Sequence, residues 1–94
     1  MNKEEIMLFL RTLKDINKDR ISRIGIFGSI AKDHNTESSD IDVVVELTDP
    51  DIFMLIGIKQ ELEEKFGRHV DIVRYRESMN SFLKDKIDHE ALYV

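Results

Sequence analysis

Asp40 and Asp42 stand two residues apart in Asp40-Ile41-Asp42-Val43-Val44-Val45-Glu46-Leu47, the clearest strand pattern in the chain. Period two puts both carboxylates on one face with Val44 and Glu46, and gives Ile41, Val43, Val45 and Leu47 to the other. Each carboxylate raises the proton affinity of the other unless a cation lies between them. A lone Asp-x-Asp is commonly just a solvated strand start, so the surroundings decide. Gly28-Ser29 ends the preceding β-rich run, Ile21-Ser22-Arg23-Ile24-Gly25-Ile26-Phe27. Glycine there admits a ligand to the backbone, and the turn can aim amide N–H groups and a hydroxyl at phosphate. A further carboxylate, Asp71, lies near the start of the run His69-Val70-Asp71-Ile72-Val73-Arg74.

Whether these groups meet depends on the elements that carry them. Asn2 and Glu5 read as N-cap and capping-box partner of a helix over 3–17, with Ile6, Phe9, Leu10, Leu13 and Ile16 on one face. Residues 30–39 read as a brief helical turn and then a loop. Asp49 is the expected N-cap of a helix from Pro50 to Phe66, with a stripe of Ile52, Leu55, Ile56, Leu62 and Phe66, and Gly67 stops it. Ser78 caps a last helix to about Glu90, with Phe82, Leu83 and Ile87 inward, before the tail Ala91-Leu92-Tyr93-Val94. An antiparallel pairing of the first two strands brings Gly28-Ser29 to Asp40 and Asp42. The helix over 50–66 is long enough for a right-handed crossover, which makes strands two and three parallel and sets Asp71 level with the pair. The fold class expected is α/β (α+β): a small mixed sheet with helices packed mainly on one face.

Composition limits the chemistry further. The 94 residues make one expected domain, 1–94, with 41% hydrophobic and 35% charged residues. With no cysteine in the sequence, disulfides, zinc-thiolate sites and cysteine nucleophiles are excluded. No apolar run approaches the roughly 20 residues of a membrane span, and the start lacks signal-peptide character. A cytoplasmic location and no membrane are therefore expected. Fourteen Lys and Arg against nineteen Asp and Glu give a net charge of −5, which repels nucleic acid, so direct nucleic-acid binding is not expected. Hard oxygen ligands beside a phosphate-friendly turn suit Mg²⁺ or Mn²⁺ with a nucleoside triphosphate; nothing resembles an EF-hand calcium loop.

Gly28-Ser29, ten intervening residues, Asp40-Ile41-Asp42 and a later Asp71 in a β-segment together resemble the DNA polymerase β-type nucleotidyltransferase superfamily, in its minimal, MntA-type antitoxin branch. The likeness runs through Ile26-Phe27-Gly28-Ser29, Ser39 to Glu46, Gly67 to Val73 and the ending Glu90-Ala91-Leu92-Tyr93. It implies the polymerase β-type fold and two Mg²⁺ ions (or Mn²⁺) with bound ATP. Asp40 and Asp42 would bind the ions, and Asp71 would complete the catalytic site and help activate the acceptor oxygen. Gly28 and Ser29 would hold phosphates. The family often carries Ala-Arg-Gly where Ala31-Lys32-Asp33 stands here; Lys32 keeps the charge for nucleotide binding but loses the bidentate fork. Asp33 adds a negative charge nearby. The resemblance further implies transfer of AMP to a tyrosine of a HEPN-domain toxin, a helical RNase, for which the chain is the antitoxin. The alternative is a catalytically weak or inactive antitoxin or nucleotide-binding module that inhibits its partner by direct contact.

Other residues receive plainer readings. His34, His69 and His89 share no ligand spacing, and His34 is the histidine placed nearest the site. Glu46 is expected in solvent or a salt bridge, Arg74 and Arg76 on a solvated edge, and Met7, Met54 and Met79 in core or interface filling. The Lys and Glu run at 59–65 reads as a wet helix face.

Overall fold

The computed structural model describes residues 2–34 and 39–94. In chain order the elements are α1 (Lys3–Ile16), β1 (Ile21–Phe27), α2 (Gly28–Ala31), β2 (Ile41–Leu47), α3 (Ile52–Phe66), β3 (Val70–Arg74), α4 (Ser81–Glu90) and β4 (Leu92–Tyr93). The expected loop over 30–39 lies outside the described residues at 35–38; its first part is α2, which begins directly at Gly28.

The four strands form one mixed sheet in the order β3-β2-β1-β4. As the spacing requires, β1 pairs antiparallel with β2, placing Phe27 opposite Asp42. The α3 crossover makes β2 and β3 parallel, with Asp42 opposite Asp71. The tail is itself a strand: β4 adds to the free edge of β1 through Gly25 with Tyr93 and Ile26 with Leu92. Gly25 permits this, because a Cβ there would collide with the Leu92 backbone and sit 3.0 Å from Tyr93 Cα.

One sheet face carries the main core. Ile24, Ile26, Ile41, Val43 and Val45 pack with Ile6, Leu10 and Leu13 of α1, Ile30 of α2, and Ile58 and Leu62 of α3. Full burial of such a side chain stabilises the fold by about 1.5–3 kcal/mol before entropy is counted. On the opposite face α4 sets Ile87 and Leu83 against Phe27, Val44 and Tyr75. That face is covered towards β1 and open around the aspartates. No helix among the described residues is long and apolar enough to cross a membrane.

Several boundaries and faces differ from the expected ones. Asn2 caps α1 as read, its Oδ1 accepting the Glu5 N–H at 2.9 Å. The cap of α3 is Asp51, not Asp49, because its Oδ1 takes the N–H groups of Phe53 and Met54 at 3.0 and 3.2 Å. Asn80, rather than Ser78, caps α4 by accepting the Leu83 N–H at 3.0 Å. Ile52 and Ile56 are 66% and 45% exposed, while Ile58 and Leu62 are buried. At about 100° per residue Ile56 sits roughly 200° around the helix from Ile58, so one face cannot hold both. Phe82 is 86% exposed for the same reason: it lies roughly 140° from Ile87, which α4 buries. Ile16, in the last turn of α1, is also exposed.

Candidate active site

Strand register brings the aspartates and Gly28 together. Because β1 ends at Phe27 opposite Asp42, the next residue, Gly28, turns over the Asp42 side chain. Its φ of +75° belongs to the left-handed region, and a Cβ there would fall on Asp42 Oδ2. Glycine is thus required twice, for the backbone conformation and for the close approach of the carboxylate.

Parallel pairing sets Asp71 opposite Asp42, and just before the ladder the His69 carbonyl accepts the Ile41 N–H at 3.0 Å, which brings His69 to the Asp40 end of β2. Asp40, His69 and Asp71 each offer a ligand atom, all within 4.8 Å of one another. Donors about 2.1 Å from one ion are at most about 4.2 Å apart, so this set needs only small side-chain closure to fit a divalent cation. His69 Nε2 lies 2.9 Å from Asp71 Oδ1, and Nδ1 lies 3.4 Å from Glu63 Oε2 on α3. Glu63 is fixed in turn by the Val70 N–H, which donates to Oε2 at 3.0 Å.

Asp42 is half-buried behind this exposed group. Burial pushes its carboxyl above the usual aspartate range, and the charges of Asp71, Asp40 and Glu90 add to the rise against an opposing pull from Lys86. A cation among these carboxylates would relieve that cost.

The phosphate side of the site has an internal occupant. Glu90, at the end of α4, accepts the Gly28 N–H at Oε1 and the Lys32 ammonium at Oε2, each at 3.2 Å. Burial works against ionising Glu90, but the hydrogen bond and charge of Lys32 and the Gly28 N–H outweigh it and hold the carboxyl below its ordinary range. Ser29 is half-exposed in the first turn of α2, its carbonyl accepting the His34 N–H at 2.8 Å. Asp33 pairs with Lys3 of α1 at 3.0 Å, which draws its charge away towards the helix.

Of the six residues singled out in the sequence, the structure brings Asp40, Asp42, Asp71 and Gly28 together at one end of the sheet. Lys32 is tied to Gly28 through Glu90. Of the three histidines, none of which the sequence reads as a ligand, His69 rather than the expected neighbour His34 belongs to the metal-competent group found among the described residues. Its signal was present, since His69 precedes Asp71 by the same two-residue step that separates Asp40 from Asp42. Glu90 carried no comparable signal, because its position depends on how α4 docks. Glu46 behaves as expected, accepting from Arg23 Nε at 2.8 Å.

Comparison with known proteins gives consistent matches. The family model for the nucleotidyltransferase domain matches residues 6–94. The Methanocaldococcus jannaschii protein MJ0435 is 41% identical over 78 residues, 82% of this chain and 83% of that protein. The protein adenylyltransferase MntA of Thermococcus cleftensis is 31% identical over 94 residues, covering 97% of this chain and 94% of that one. A toxin–antitoxin crystal structure with AMP-PNP superposes with a TM-score of 0.77 at 24% identity, over 99% of this chain and 72% of that chain, a likeness of fold.

Proposed function

This chain belongs to the nucleotidyltransferase domain family, and we propose that it transfers AMP from ATP to a tyrosine hydroxyl of a HEPN-type toxin, acting as the antitoxin. The observation that carries the reading is the convergence of Asp40, Asp42 and Asp71 at one sheet end beside Gly28. The MntA relative, named a protein adenylyltransferase, supports a protein acceptor, and the similarity to a toxin–antitoxin structure with AMP-PNP supports ATP and a toxin partner. A net charge of −5 disfavours nucleic acid as the acceptor. Cytoplasmic location follows from this reading, since ATP and the toxin are met there.

The roles divide by position. Gly28, through its N–H, and Ser29, through its hydroxyl, hold phosphate oxygens, and Lys32 balances their charge. Asp40, Asp42 and Asp71 would hold Mg²⁺, which when bound neutralises the triphosphate and favours departure of pyrophosphate. Asp71, exposed at the site, also accepts the proton of the incoming tyrosine hydroxyl. The new bond joins the tyrosine oxygen to the α-phosphorus, and the bond from that phosphorus to the bridging oxygen breaks as pyrophosphate leaves.

Intact mass spectrometry of a HEPN-type partner incubated with this protein, ATP and Mg²⁺ tests the proposal. Wild type should add AMP to the partner. Asp71→Asn should bind the partner equally but transfer slower by orders of magnitude, as expected for a group acting mainly in the transition state. A wild type that silences the partner's RNase activity without adding nucleotide would replace transfer by contact inhibition, a reading favoured by the Glu90 carboxylate at Gly28 and Lys32.

A further inference from the structure

We propose that His69 is a metal ligand of this site through Nε2, held in place by Glu63, and that its nitrogen shifts the site's preference from Mg²⁺ towards Mn²⁺. The inference rests on the metal-dependent reading above and adds the residue that selects the ion. Two independent features of the structure support it. A ring nitrogen of His69 lies within 4.8 Å of the Asp40 and Asp71 oxygens, and Nε2 is the nitrogen turned to the site, 2.9 Å from Asp71 Oδ1, close enough for both to share one ion. The opposite nitrogen, Nδ1, faces the Glu63 carboxylate at 3.4 Å. Metal-bound imidazoles characteristically give their second N–H to a carboxylate, which fixes the tautomer and leaves the other lone pair for the ion.

Glu63 is suited to that positioning role. Its Oε2 is anchored by the Val70 N–H at 3.0 Å, and Lys59 Nζ stands 3.8 Å away. The imidazole is therefore held between an anchored carboxylate on α3 and Asp71 on β3, with Asp40 just ahead of β2. Of the ions that suit carboxylates, Mg²⁺ is the smaller and harder, prefers oxygen donors and near-ideal octahedra, and gains little from a nitrogen. Mn²⁺ accepts mixed oxygen and nitrogen sets, so a ligand trio of two aspartates and one histidine favours it.

Pulsed electron paramagnetic resonance of Mn²⁺ bound to the full chain reads this directly, because a coordinated imidazole nitrogen leaves a hyperfine signature. Wild type should show that signature, and His69→Gln should lose it. In parallel titrations His69→Gln should weaken Mn²⁺ binding by about tenfold and Mg²⁺ binding by less than about threefold. Glu63→Ala should retain the signature with weaker Mn²⁺ binding, and Glu63→Gln, which keeps an acceptor oxygen, should recover part of the affinity. Mn²⁺ that binds, is lost in Asp40→Asn, and yet shows no nitrogen signature in wild type would overturn the role of His69 and leave the metal-dependent reading standing. Absence of any Mn²⁺ binding sensitive to Asp40→Asn would overturn both.

Discussion

Replacing Gly28 by alanine adds one methyl group where the backbone has φ +75° and the new carbon would meet Asp42 Oδ2, with Asp42 Cγ at 3.1 Å. Gly67, the cap of α3, provides the control: its φ is +63°, and a Cβ there meets nothing within 4 Å. Both substitutions incur left-handed strain, about 1–2 kcal/mol for an L-residue. Only Gly28→Ala adds a steric conflict, and overpacking of this kind costs typically about 1–3 kcal/mol. Gly67→Ala should therefore lose about 1–2 kcal/mol and Gly28→Ala about 2–5 kcal/mol. At about 4–8 °C per kcal/mol for a domain of this size, Gly28→Ala should melt at least roughly 8 °C below wild type. Urea denaturation of each single variant and of Gly28→Ala/Asp42→Ala separates the two contributions. Removing the carboxylate should restore part of the loss, a coupling of about 1 kcal/mol or more. Displacing Asp42 should also blunt the thermal shift given by ATP with Mg²⁺, since ligand stabilisation scales with affinity. Equal losses in Gly28→Ala and Gly67→Ala, with no coupling to Asp42→Ala, would refute the contact.

Two further predictions concern charge. The folded-state pKa of Asp42 is raised, by burial first and then by Asp71 and Asp40, so its contribution to stability is fully present only below the unfolded value and is lost as pH rises through the folded one. Without metal, Asp42→Asn should melt higher than wild type at pH 7, with the gain shrinking towards about pH 4; a lower melting temperature at pH 7 contradicts the repulsion argument. Glu90→Gln removes the anion that shares Gly28 N–H and Lys32 with the incoming phosphates. It should tighten ATP binding measured by calorimetry while changing stability by less than about 1 kcal/mol, and weaker binding would show that Glu90 supports the phosphate site rather than competing for it.

What the sequence made legible was local or periodic. The alternation from Asp40 to Leu47 marked β2 and its two faces, and the Gly67 stop and the Asn2 cap follow from side-chain chemistry within a few residues. Asp49 was read as the cap of α3 from its place before Pro50, but the cap is the carboxylate that reaches the N–H groups of Phe53 and Met54, and that is Asp51. Phe82, Leu83 and Ile87 were all read as inward, but the face that buries Ile87 takes Leu83 and leaves Phe82 in solvent. The two-residue strand β4 has no period of its own; its identity lies in the partner edge at Gly25 and Ile26. The aspartates of the candidate site were legible because β-pairing places them by register. Glu90 was not, because it arrives at Gly28 from 62 residues away, on a helix whose docking depends on tertiary packing.

That route has a consequence for how the molecule opens. The β1–β4 ladder has two residue pairs, whereas β1 and β2 share a ladder running from Ile21 to Phe27. A short ladder on a sheet edge belongs to the least protected cooperative unit of a fold, which exchanges its amide hydrogens by sub-global opening while the central strands stay closed. If α4 leaves with β4, Glu90 departs from Gly28 and Lys32, and the apolar surface of Phe27 and Val44 is uncovered. The aspartates on β2 and β3 remain ordered by the longer ladders. The anion at the phosphate turn is thus carried by the lid-like margin of the domain and the carboxylate cluster by its most persistent part, so one half of the site can fluctuate while the other keeps its shape.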